Sequence, residues 1–223
     1  PTDAPAWVAR LNSTAETRAG FHIHLVGIGG PGLSAIAGFL LQRGFTVSGS
    51  DQRPNEATDE LAGRGVAVYR GHRAEHVAGA DLVLVSSAVP EDNPEIIAAR
   101  EAGIPIVKRS DFLGPLIEGH HGIGVAGSHG KTTTTSMVAI VLLRAGMDPS
   151  FIVGGRIAVG PAEGALMSAT VAARAGEGPF VIEADEYDGM FLGLRLEIGI
   201  VTNVDWDHVD CYPTPASFAA AFR

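Results

Sequence analysis

Cysteine is almost missing from this sequence: Cys211 is the one thiol in 223 residues. An intrachain disulfide is therefore impossible, and a reducing cytoplasm is the expected setting. Long apolar runs are missing too, since none approaches the roughly 18 residues that a membrane-spanning helix needs. Cations are scarce, with 16 Lys and Arg against 25 Asp and Glu, for a formal net charge of -9. Nucleic acid is excluded as a partner, because binding its backbone requires clustered Lys and Arg to displace counterions. The first twenty residues lack the basic start and apolar stretch of a signal peptide and read as a floppy lead-in or a short helix. Neither a fixed-period repeat nor a low-complexity tract occurs.

What is present suits a folded protein, with 46% hydrophobic and 18% charged residues. At about 100–200 residues per domain, the length predicts two modest domains. The acidic balance does not forbid phosphate ligands, because backbone N–H groups and one placed Lys hold a phosphate whatever the global charge.

From Phe21 onward, short β-prone apolar runs alternate with helix-like segments, the pattern of a parallel sheet with crossover helices. Strands are predicted near Phe21–Val26, Phe45–Gly49, Val66–Tyr69, Asp81–Ser86 and Pro105–Val107. Helices are predicted at Leu33–Gln42, Asn55–Arg64 and Pro94–Ala102, the last two stopped by Gly65 and Gly103. A capped segment Ser110–Ile117 runs into Gly119-His120-His121-Gly122, a candidate domain boundary. The alternation then restarts with a strand at Ile123–Ala126, a helix at Lys131–Ala145, strands at Phe180–Ala184 and Ile198–Thr202, and a helix at Thr214–Phe222. No structure is assigned between Arg156 and Gly178, where Gly and Ala abound without a clear period. The fold class is thus α/β: a Rossmann-like parallel-sheet domain over 1–118, then a P-loop α/β ATPase domain over 119–223. That second domain has fewer strands than a P-loop domain needs, so the chain reads as a fragment.

Four stretches carry chemistry. Gly27-Ile28-Gly29-Gly30-Pro31-Gly32 follows an apolar strand and opens a helix, so its amides can approach a diphosphate at the helix's positive end. Asp51 ends the next strand about 20 residues on, where dinucleotide folds place an acid on a ribose hydroxyl. The same glycines also suit simple strand-to-helix packing, and the loop alone does not separate a nicotinamide cofactor from a nucleotide-sugar. Gly127-Ser128-His129-Gly130-Lys131-Thr132-Thr133 again joins strand to helix. Its amides would cradle phosphates, Lys131 would reach the β- and γ-phosphates of ATP, and the Thr132 hydroxyl would bind Mg²⁺. An apolar strand then ends in Glu183-Ala184-Asp185-Glu186, with Glu183 the expected carboxylate of the Mg²⁺ shell. Finally His208 closes Thr202-Asn203-Val204-Asp205-Trp206-Asp207-His208; it can bind a second metal, order water or satisfy core hydrogen bonds. The other seven histidines, including His22 and His24, lack metal-ligand spacing and are expected to satisfy core hydrogen bonds.

These motifs, together with Ser48-Gly49-Ser50-Asp51 and Ser86-Ser87-Ala88-Val89, resemble in kind and order those of the Mur ligase family of bacterial cell-wall synthesis. The His129-containing loop with four threonines, followed by Glu-Ala-Asp-Glu, resembles its alanine-adding branch and the closely related peptide-recycling branch. The resemblance implies three domains: one for a UDP-sugar, a central ATPase, and a C-terminal ligase domain that this chain lacks. It implies UDP-N-acetylmuramate and L-alanine as substrates, with ATP and Mg²⁺ as cofactors. The substrate carboxylate would attack the γ-phosphate, and the amine would displace phosphate from the acyl phosphate. By resemblance Gly29, Gly30, Gly32, Asp51 and Ser86 hold the UDP-sugar, and Gly127, Ser128, His129, Gly130, Lys131, Thr132 and Thr133 hold ATP. Lys131, Glu183 and His208 act in catalysis, and Thr132, Glu183 and His208 bind metal. Pro31 departs from the small residue usual in the family.

Three other readings compete. A nicotinamide-dependent oxidoreductase explains the first loop and Asp51 but leaves the second loop and its acids idle. A non-catalytic nucleotide-sugar-binding module needs no third domain. A ligase that recycles a whole tripeptide shares every motif.

Overall fold

A computed structural model describes residues 5–159 and 169–223. The chain divides into two compact units, Pro1–Leu116 and Ile117–Arg223.

The first unit opens with two short helices, α1 (Ala6–Leu11) and α2 (Ala15–Arg18). It continues through β1 (His22–Val26), α3 (Pro31–Gln42), β2 (Thr46–Asp51), α4 (Glu56–Gly63) and β3 (Ala67–Arg70). A 3₁₀ turn (Ala74–Val77), β4 (Leu82–Val85), α5 (Pro94–Glu101), β5 (Ile106–Lys108) and α6 (Arg109–Ile117) complete it. Its five strands are parallel, in the order β3-β2-β1-β4-β5. Helices cover both faces of such a sheet, which is why the central strands are near-continuous apolar runs: all of Leu82–Val85 is buried. Local chemistry sets the helix starts. Asn55 and Thr58 form a reciprocal capping box on α4, and the Asn93 side chain accepts from Glu95 N at 2.8 Å at the start of α5. Pro31 occupies the first turn of α3, where a missing N–H leaves no helical bond unmade.

The second unit runs β6 (Gly122–Ala126), α7 (Lys131–Arg144), β7 (Ser150–Val159), β8 (Ala169–Arg174) and β9 (Phe180–Glu183), a 3₁₀ segment (Tyr187–Gly193), β10 (Ile198–Val201) and α8 (Pro215–Ala221). Its sheet order is β10-β6-β9-β7-β8, parallel except for the β7–β8 pair. Ala139 of α7 packs on Phe151, Val153, Ile157 and Val181 to form the core under the second loop.

The region after α7 departs from expectation, beginning with β7 at Ser150, where no strand is expected. The stretch 156–178, left without structure above, contains the end of β7 and the whole of β8, which pair antiparallel with a register shift between Ile152 and Ile157. Neither period was legible because small Ala and Gly side chains leave little apolar contrast between faces. The part of that stretch between the two strands lies outside the described residues. Among the described residues, no helix is long and apolar enough to cross a membrane.

Candidate functional site

In the first unit, the glycine loop leaves the carboxyl end of β1, the strand at which the sheet order reverses direction. Ligands of open α/β sheets bind in the crevice at such a switch point. Gly27 turns the chain there with φ +85, and the amides of Gly27 and Ile28 both donate to Ser50 O, at 2.8 and 3.0 Å. Asp51 grips the loop: Oδ2 accepts from Gly29 N and Oδ1 from Arg53 N, both at 2.9 Å. A Cβ on Gly29 would come within 2.8 Å of Asp51 Oδ2, so this contact requires glycine. Asn55 Nδ2 donates to Gly29 O at 2.9 Å and ties the loop to α4.

The resulting cleft measures about 480 Å³, and Gly30, Asp51 and Ser86 are among the residues that line it, together with Gly27. Gly29 and Gly32 are not among its walls; Gly29 supports Asp51, and Gly32 leaves room for the Arg109 side chain. Ala88 and Val89 of the Ser86–Val89 motif also line it, whereas Gln52, His72, Asp92 and Asn93 escape motif reasoning, because no motif includes them. His72 belongs to a network with His24, His76 and Glu95, and His72 and His76 hydrogen-bond Glu95 internally.

In the second unit, Gly127 (φ +129) begins a loop strapped to the segment after β10. Ser128 N donates to Asn203 O at 3.2 Å, His129 N to Asn203 Oδ1 at 3.1 Å, and Thr202 Oγ1 to His129 O at 2.7 Å. A Cβ at Gly127 would collide with Thr202 and Asn203. Gly130, left-handed at φ 83, then starts α7 with Lys131 as its first residue. The Lys131 ammonium donates to Gly127 O at 2.7 Å and to both Glu186 oxygens, at 2.9 and 2.8 Å. Thr132 and Thr133 are exposed on the first turn.

Glu183 and His208 part company. Glu183 Oε1 accepts from Gly154 N at 2.8 Å, and a Cβ on the next residue, Gly155, would lie 2.9 Å from Thr132 Cγ2, so Thr132 and Glu183 flank one point of β7. His208 instead meets Asp185 and Glu186, one ligand atom of each lying within 4.8 Å of the others. Asp185 and Glu186 were passed over in favour of Glu183, the first acid after the apolar run. A 3₁₀ segment begins directly after Glu186 and follows the strand end, so strand alternation does not indicate which way those side chains turn. Two carboxylates and an imidazole suit a hard or borderline cation such as Mg²⁺ or Mn²⁺.

Fold and site together define a protein with two phosphate-type loops, one on a Rossmann-like sheet and one on a P-loop sheet. The description of the Mur ligase family catalytic domain matches residues 22–121, and that of the Mur ligase middle domain matches residues 125–223. The chain belongs to the Mur ligase family. It is 50% identical over 192 residues to the UDP-N-acetylmuramate--L-alanine ligase of Methylobacillus flagellatus, a match covering 86% of this chain and 38% of that protein. The enzyme of the same name from Aromatoleum aromaticum is 52% identical over 191 residues, covering 85% and 39%. Among solved structures, the UDP-N-acetylmuramate-alanine ligase of Thermotoga maritima matches with TM-score 0.79 and 34% identity, covering 90% of this chain and 46% of that one. A UDP-N-acetylmuramate:L-alanyl-gamma-D-glutamyl-meso-diaminopimelate ligase from Neisseria meningitides matches with TM-score 0.77 and 31% identity, covering 90% and 66%. The chain thus spans about two fifths of the length of the curated relatives it matches.

Proposed function

We propose that this chain carries the UDP-sugar-binding and ATP-binding parts of an ATP-dependent ligase that joins L-alanine to UDP-N-acetylmuramate. The observation that carries the reading is the conjunction, in one chain, of a glycine-loop cleft at a sheet's switch point and a lysine held at the helix start of a second phosphate loop. The names of relatives about 50% identical to it support alanine as the amino acid. An ATP-consuming step of this kind belongs in the cytoplasm.

On this reading, domain 1–118 holds the nucleotide-sugar by Gly29, Gly30, Gly32, Asp51 and Ser86, with Asp51 both on the ribose and bracing the loop. Domain 119–223 holds ATP by Gly127, Ser128, His129, Gly130, Lys131, Thr132 and Thr133. Joining a carboxylate to ATP brings two anions together, so the site must neutralise phosphate charge before the acyl phosphate forms. Lys131 supplies one fixed positive charge. Thr132 and Glu183 would hold one Mg²⁺, and His208 with Asp185 and Glu186 a second. When bound, the metal supplies further charge neutralisation at the phosphates.

A tripeptide-adding ligase is a second reading, favoured by the likeness to the Neisseria meningitides enzyme. Calorimetric titration tests the ligand assignment on this chain: UDP-N-acetylmuramate should bind and NAD should not. Binding of NAD without UDP-N-acetylmuramate would overturn it. ATP hydrolysis by the whole protein with UDP-N-acetylmuramate and either L-alanine or tripeptide then separates the two ligases.

A further inference from the structure

The cleft of the first unit has a wall that its glycine loop does not account for. Its lining includes two carboxylates, Asp51 and Asp92, and neither Lys nor Arg. His72 is the one lining side chain able to carry a positive charge. Behind it lies Glu95, the second residue of α5, fully buried at a helix start where the helix dipole favours an anion.

Three imidazoles reach Glu95 from different elements. His76 of the 3₁₀ turn places Nδ1 at 2.6 Å, His72 beyond β3 places Nδ1 at 3.0 Å, and His24 of β1 places Nε2 at 3.8 Å. Ser50 of β2 donates its hydroxyl to Glu95 Oε2 at 2.5 Å. His22 joins at one remove, sharing Ser48 Oγ with His24, and Tyr69 stacks on the His76 ring. Burial alone would raise the Glu95 pKa, but the nearby His24 imidazole and the hydrogen bonds from Ser50 and His76 outweigh it and lower the value to about 2. The carboxylate is therefore ionised and only accepts.

That acceptor fixes a tautomer. The single hydroxyl proton of Ser50 points at Glu95, so the same oxygen, 2.9 Å from His72 Nδ1, can only accept from it. His72 Nδ1 must then carry a hydrogen, shared between Ser50 Oγ and Glu95 Oε2. The proton that the ring gains or loses sits on Nε2. A neutral ring accepts there and a protonated ring donates there.

We propose that Glu95 is a positioning residue for ligand recognition: from inside the core it holds His72 with Nδ1–H inward and balances its charge, so that Nε2–H meets the anionic part of the nucleotide-sugar. The inference rests on the cleft's assignment to a nucleotide-sugar. A diphosphate offers acceptors only, so in a cleft lined by Asp51 and Asp92 the protonated ring is the form that binds.

The test is titration of the 223-residue chain with UDP-N-acetylmuramate from about pH 6 to about pH 8, the range in which a histidine changes charge. Glu95→Gln and His72→Gln are measured alongside, and the wild-type imidazole nitrogens are followed by ¹⁵N NMR. In the wild type, affinity should fall as pH rises, with His72 Nδ1 protonated throughout. At the acid end either variant should bind roughly ten- to hundredfold more weakly, the worth of one charge-assisted hydrogen bond, and its pH profile should flatten. If Glu95→Gln only lowers the melting temperature, leaving affinity and pH profile intact, Glu95 is structural and the inference fails. Should that variant not fold, unchanged binding by His72→Gln, or a deprotonated Nδ1 in the wild type, overturns it equally. A wild type that fails to bind UDP-N-acetylmuramate at any pH overturns the functional reading itself and this inference with it.

Discussion

Replacing Lys131 by Met should unfold the second unit more easily as well as disable the phosphate loop. The reason is Glu186, whose carboxylate is 0% exposed and whose two oxygens lie 2.9 and 2.8 Å from the Lys131 ammonium. Without that ammonium the buried charge faces the His208 imidazole, with Nε2 at 3.4 Å, in place of a lysine. Removing one partner of a buried pair costs about 3–5 kcal/mol. Lys131 retains 16% exposure, so a value below that range, about 2–3 kcal/mol, is expected here. At roughly 4 °C per kcal/mol for a unit of about 100 residues, that is a fall in Tm of about 8–12 °C. Lys131→Met/Glu186→Gln removes the stranded charge and should recover most of the loss, giving a coupling energy of about 2 kcal/mol. The two tryptophans allow a clean assay, since Trp7 lies in the first unit and Trp206 in the second. With Trp7 replaced by Phe, urea unfolding followed by Trp206 fluorescence reads the second unit alone. A Lys131→Met chain as stable as its parent, or a double variant no better than the single one, refutes the argument.

Other outcomes follow from the same geometry. Gly29→Ala should push Asp51 off the loop, because the new Cβ would sit 2.8 Å from its Oδ2, and calorimetry should show weakened UDP-N-acetylmuramate binding in a folded chain. For Glu95 the folded pKa, about 2, lies below the ordinary 4.5, so its stabilisation is present above about pH 4.5 and is lost as pH falls toward 2. The full effect is on the order of 3 kcal/mol. Acid unfolding followed by Trp7 fluorescence should show that loss, and Glu95→Gln should remove it; the same acid limb in the variant would contradict the assignment. His208→Ala should weaken Mn²⁺ binding measured by EPR without nucleotide, and an unchanged Kd would exclude the Asp185–Glu186–His208 group as a metal site.

Much of the fold was legible because it is written locally. Apolar runs such as Leu82–Val85, glycines at strand ends and capping side chains such as Asn55, Asn93 and Thr214 act over a few residues, so the alternation of strands and helices follows from neighbours alone. The two phosphate-type loops were legible for the same reason: each requirement, a positive φ at Gly27 or a lysine opening α7, is met within one short stretch. Tertiary structure decided what depends on distant partners. Ala169–Arg174 becomes a strand by pairing with β7 despite small side chains that show no clear period. Glu186 becomes the partner of Lys131, 55 positions away, because β9 lies beside β6 and a short turn aims the carboxylate inward. Glu95 becomes the centre of three histidines because the middle of β1, the segment after β3 with its 3₁₀ turn and the start of α5 meet in the fold. Hydrophobic periodicity records which face of an element is buried, whereas the partner of a buried charge is set by which strand ends the sheet order places together.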